Sequence, residues 1–162
     1  MKKLVFAFMA LLSFGALSAQ EKPSDLLSEL RKYRLKVNYE YEITGLQDVK
    51  VVGSAIIQDN CFRMEGAGLL ILCDSESIWT IDLEGKEAYV EAAGQMDYLD
   101  YVTDLAWEND RLIGTVAIPN GTILNFSLFD IKKSPSSGDL SIFSPSEDFF
   151  NDGADWIITD LR

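Results

Sequence analysis

From Leu35 the chain alternates strictly. Leu35, Val37, Tyr39, Tyr41 and Ile43 are apolar, and Lys36, Asn38, Glu40, Glu42 and Thr44 are polar. A period of two over ten residues specifies a strand with one wet face and one dry face. Such a strand needs neighbours, because its dry face cannot be covered by one hairpin alone. Gly45 to Asp48 turns it back into a second run, Val49–Gln58.

More strand signals follow. Runs at 61–65 and 69–73 flank Gly66-Ala67-Gly68, and runs at 77–82 and 86–92 flank Leu83-Glu84-Gly85. Runs near 111–118 and 122–131 are joined by Pro119-Asn120-Gly121, and Asn-Gly between alternating runs is a hairpin signal. Trp156, Ile157 and Ile158 suggest a last strand after a tail, Ser134 to Asp152, rich in Ser, Pro, Asp and Gly. Two segments read as helices. Leu26, Leu27, Leu30 and Tyr33 follow a cap at Ser24 or Asp25, and Met96, Leu99 and Val102 form a stripe within 95–106. The sum is an α+β fold of about eight strands. Its hairpins follow one another, which favours one curved antiparallel sheet over a sandwich.

The start, MKKLVFAFMALLSFGALSAQ, has two lysines, an apolar run from Leu4 to Leu12 and a small-residue stretch ending at Ala19. This is the pattern of a secretory signal peptide over residues 1–19, leaving a single domain at 20–162. The full chain has 162 residues and a net charge of −12. Without Lys2 and Lys3 it carries 12 basic and 26 acidic residues, a net −14. That surface repels phosphate backbones, so nucleic acid is not an expected partner. No histidine is present, which excludes Ser-His-Asp and Cys-His catalysis and removes the commonest zinc ligand. No calcium loop, phosphate cradle or G-x-S-x-G stands in the chain. No cofactor, metal site or enzymatic activity is expected. A hidden carboxylate pair of the glycosidase kind has no residues that place it in a cleft.

Cys61 and Cys73 are the two cysteines. If Gly66-Ala67-Gly68 is a three-residue loop, Cys61 faces Cys73 across the hairpin, close enough for a disulfide in an oxidising compartment. Such a bridge is worth about 2–3 kcal/mol. The same register turns Phe62, Met64, Leu70 and Leu72 to one apolar face, continued on the next strand by Trp79 and Ile81 or by Ile78 and Thr80, of which the pattern favours Trp79 and Ile81. An apolar concave face can be filled by the protein's own side chains or left for a ligand, and alternation does not separate the two.

The order "FRME…ILCDSESIWTIDLEGKEAYVE" resembles the outer-membrane lipoprotein carrier (LolA-like) family. That family has an F-R-aromatic strand, a D-G-x-x-x-W turn and strand, and a turn into K-x-V. Phe62-Arg63-Met64, Asp74 with Trp79, and Lys86 to Val90 stand at those places, and "DWIITDLR" resembles the ending of short members from Bacteroidetes. The resemblance implies an unclosed half-barrel with an N-terminal helix and a short helical lid. It implies a monomeric periplasmic chaperone that shields lipoprotein acyl chains on the way to the outer membrane, between an inner-membrane donor complex and an outer-membrane acceptor. Tyr39, Tyr41, Phe62, Met64, Leu70, Leu72, Trp79, Ile81, Met96 and Leu99 are the lipid-binding residues on this reading, with 95–106 as the lid. Two places depart from the family: Asp74-Ser75-Glu76 replaces Asp-Gly-Lys, and Gln58-Asp59-Asn60 stands where carriers have a gating arginine. The alternative is a secreted, non-enzymatic interaction module with a filled core on the same fold.

Overall fold

The computed structural model describes residues 31–44, 49–94, 102–117 and 121–162. Ten strands form one open sheet: β1 Tyr33–Thr44, β2 Val49–Gln58, β3 Cys61–Gly66, β4 Leu69–Cys73, β5 Ser77–Asp82, β6 Glu87–Ala92, β7 Val102–Glu108, β8 Arg111–Ala117, β9 Ile123–Pro135 and β10 Ile157–Asp160. Their spatial order is β10-β6-β5-β4-β3-β2-β1-β9-β8-β7. All neighbours pair antiparallel except β10, which runs parallel to β6. The long β1 sits near the middle, where its alternation fits best, with neighbours on both sides.

The expected α+β class is corrected to a nearly all-β one. Among the described residues there is no α-helix, and Ser141–Phe143 makes one 3-10 turn. The expected N-terminal helix and residues 1–19 lie outside the described residues, except that Tyr33 already belongs to β1. The expected helical lid is overturned over its second half, because Val102–Glu108 is strand. Its physical reason is the two-residue turn Asn109-Asp110, with φ values of 48° and 62°, which pairs Glu108 with Arg111. Two left-handed residues in sequence match the twist of a hairpin, and Asn and Asp tolerate that conformation. Cross-strand pairing with β8 then sets Val102–Glu108 as strand.

The β3–β4 turn also differs from expectation. Gly66 pairs with Leu69, so the loop is only Ala67-Gly68, with φ values of 51° and 76°. Phe62, not Cys61, stands opposite Cys73. The two thiols belong to opposite faces, and both cysteines are free and buried. The expected disulfide is therefore absent, because a register one residue different sends the two side chains apart.

Glycines let aromatic rings lie across the sheet. A Cβ at Gly53 would overlap Tyr39 Oη and the Glu65 carbonyl, and one at Gly114 would overlap the Phe126 ring. Gly53→Ala should therefore destabilise the protein by about 1–3 kcal/mol or more, through overpacking against backbone that cannot yield. Gly94→Ala meets nothing within 4 Å and should leave the urea midpoint in place. Parallel urea melts of the two variants check this, and equal midpoints would contradict it.

Candidate ligand-binding face

Cross-strand partners share a face, so the register sorts every side chain. On the inner face stand Leu35, Val37, Tyr39, Tyr41 and Ile43 of β1, then Ala55 and Ile57 of β2, and Phe62 and Met64 of β3. Ile71 and Cys73 of β4 and Ile78 of β5 extend it to one side. Leu112 and Val116 of β8 with Leu124, Phe126 and Leu128 of β9 extend it to the other. These residues form one continuous apolar cluster. Tyr39 and Tyr41 stack with centroids 6.3 Å apart and planes 20° apart, and the Tyr39 hydroxyl donates to the Glu65 carbonyl at 3.1 Å. That bond fastens β1 to β3 over the small side of β2 and is worth about 1 kcal/mol.

The outer face of β4–β6 is apolar too. Leu70, Leu72, Ile81 and Ala88 are buried there, and Trp79 stands opposite Leu72. The tail after β9 covers them. It first follows the outer ends of β1 and β2: the Gln58 amide donates to the Ser137 carbonyl at 2.7 Å, and Arg34 donates to the Asp139 carbonyl at 2.6 Å. Phe143 is fully buried beneath Arg34. Ser144 then donates to Asp74 at 3.2 Å. Phe149, Phe150 and Trp156 close over Trp79, with Phe150 5.9 Å from Trp79 and 5.2 Å from Trp156. Lys86 lies 4.6 Å from the Trp156 ring and pairs with Asp152 at 3.2 Å.

The ten expected lipid-binding residues are therefore not one wall. Tyr39, Tyr41, Phe62 and Met64 are together on the inner face. Leu70, Leu72, Trp79 and Ile81 are on the outer face beneath the tail. Met96 and Leu99 lie outside the described residues. Among the inner-face residues that the sequence reading missed are Ile71 and Ile78, hidden by the one-residue register difference, and Leu112, Val116, Leu124, Phe126 and Leu128. The last three alternate plainly in the sequence and were legible as a strand face.

Among the described residues, the partly buried groups packed against the inner cluster are Tyr33, Ala93, Leu105 and Ile131, from the sheet and the residue after β6. Near its β7 side, an open cleft of about 350 Å³ is lined by residues that include Tyr41, Leu105, Phe126, Glu40, Glu42 and Asp104. Glu40 is held by Arg111 at 2.7 Å and Lys50 at 3.2 Å, and Arg111 also lies over the Phe129 ring at 4.3 Å. Among the described residues, no three acidic or thiol side chains gather as a metal site.

Burial pushes the inner-face acids upward. Burial is the main cause at Cys73, which rises from 9.0 to about 11, and the nearby Cys61 and Asp74 add to it. Burial also raises Tyr39 and Tyr41, with Tyr41 and Glu65 adding at Tyr39.

No protein-family model matches the chain, and no curated protein matches it. A solved structure described as an uncharacterized conserved protein from Thermus thermophilus is similar over 85% of this chain and 98% of that one, with a TM-score of 0.48 and 7% identity.

Two outcomes follow. A raised folded-state value means the folded protein holds the proton that the unfolded chain releases. The stabilisation from Cys73 is thus complete below pH 9.0 and lost as the pH rises toward about 11. Stability from urea melts should fall across that window, and Cys73→Ala should flatten the fall; an unchanged slope would refute it. Trp156→Ala, at a half-buried site, should cost about 1–3 kcal/mol, below the range for a fully buried Trp. It should speed proteolysis between residues 141 and 160, and unaltered cleavage there would count against Trp156 anchoring the tail.

Proposed function

We propose that the chain is an exported, non-enzymatic carrier that holds an acyl chain or similar amphipathic cargo against the inner face of its sheet. Residues 1–19 serve as the signal peptide, and the working compartment is the periplasm. The observation that carries the reading is the asymmetry of the two faces. Both are apolar, yet among the described residues the tail covers only the outer one, while those packed on the inner cluster are sheet residues and Ala93. Each buried methylene is worth about 0.8 kcal/mol, so an acyl chain of about fifteen methylenes gains on the order of 10 kcal/mol on leaving water. Flat rings over Gly53 and Gly114 make a smooth wall, and Met64 adapts its shape to irregular cargo. The resemblance to lipoprotein carriers supports the same reading and supplies the cargo class, with a membrane donor and an outer-membrane acceptor as partners.

One observation favours the second reading, a secreted module with a filled interior: Tyr39, Tyr41 and Met64 are each 1% exposed. A carrier of this build must part its inner side chains to admit cargo.

A photoreactive fatty acid separates the two. Bound to the mature chain and activated, it should label Tyr41, Met64 or Phe126, and native mass spectra should show the adduct. No uptake, or labelling confined to Phe149 and Trp156 on the outer face, would overturn the carrier reading and leave the filled module.

A further inference from the structure

β10 makes one margin of the sheet, and its far side has no partner strand among the described residues. The Ile157 N–H donates to the Lys86 carbonyl at 2.9 Å and the Leu161 N–H to the Val90 carbonyl at 2.8 Å. Odd-numbered residues thus bond to β6, and the backbone groups of Ile158 and Asp160 point away from the sheet. Three large apolar side chains crowd this short margin: Ile157 is 62% exposed, Ile158 48% and Leu161 45%. The usual defences of a free edge, a proline, a bulge or an unpaired charge, are missing from it. Its one acid, Asp160, is held by Arg162 at 2.6 Å. The opposite margin, β7, is defended by an irregularity between Val102 and Asp104 and by the exposed acids Asp104 and Glu108.

We propose that β10 is a self-association edge, joining two copies of this chain through an antiparallel β10–β10 pair about a twofold axis at Thr159. The occupant is a second copy because the strand is complementary to itself. Only outward-facing residues can exchange backbone bonds, so Ile158 must meet an even-numbered residue of the other copy. Opposite the partner's Asp160 it completes about four N–H···O bonds across the pair. The same register sets Ile157 opposite the partner's Leu161, twice by symmetry, at the separation where cross-strand side chains touch. Ile157, the most exposed large apolar residue described, is thereby covered by the partner's Leu161. The contact is small and the chains are strongly acidic, so association is weak and strengthens with salt as repulsion is screened. The inference stands on the sheet margin and is independent of the cargo reading.

Light scattering coupled to size exclusion tests it on the mature chain. The mass should rise toward twofold as concentration increases, and rise further with added salt. Ile158→Pro removes an N–H that β6 does not use, and Ile157→Lys puts a charge where the apolar pair would close. Both should stay at the single-chain mass with the far-ultraviolet circular dichroism unchanged, whereas Val52→Lys, at an exposed site on β2, should associate like the parent. A parent that keeps the single-chain mass at every concentration and salt overturns the proposal. So does association that both β10 variants retain, or protection of the β10 amides that arises only with an unrelated extended peptide.

Discussion

A sheet that is oily on both sides cannot stand in water with either side bare. That constraint organises this protein. β4–β6 carry Ile71, Cys73 and Ile78 on one face and Leu70, Leu72, Ile81 and Ala88 on the other. The outer set is met by a tail whose aromatic residues are spaced to reach it, and the tail is fastened along its path by Gln58, Arg34, Asp74 and Lys86. The inner set is continuous with residues of β1, β8 and β9 in one apolar cluster. The covering of the outer set is an extended segment pinned by specific polar bonds.

Much of this was legible in the residues. The alternation at 35–43 specifies β1, and Asp82 and Asp74 mark their turns by accepting backbone N–H groups at 2.7–3.0 Å. The face assignment was not legible. Gly66-Ala67-Gly68 fits a three-residue loop as well as a two-residue one, and the choice turns on whether Ala67 accepts a left-handed backbone. It does, at φ 51°, because the twist of the hairpin outweighs a modest Cβ cost. One residue of register moved Leu70, Leu72, Trp79 and Ile81 to the far side and separated the cysteines. The candidate site was therefore half legible: Tyr39, Tyr41, Phe62 and Met64 share the inner face as read, while the rest depended on a turn that composition does not decide.

The helix reading failed over 102–106 in another way. Three apolar residues spaced by three match a helical stripe, but Val102–Glu108 also fits a strand, and short apolar runs do not discriminate. The Asn109-Asp110 turn supplied the deciding bias by delivering this segment onto β8.

The position of β10 bears on how the molecule is made. Ile157 lies beside Glu87, a residue seventy positions earlier, and the pairing is parallel, so no tight turn can bring them together. Closing so wide a loop costs entropy that the bonds of β10 and the packing of the tail must offset. Until the strap has been laid across the outer face, β6 remains a raw margin and Leu72 and Ile81 stay wet. The tail thus does two jobs at once: it adds β10 to the margin of β6 and brings Phe149, Phe150 and Trp156 over Trp79.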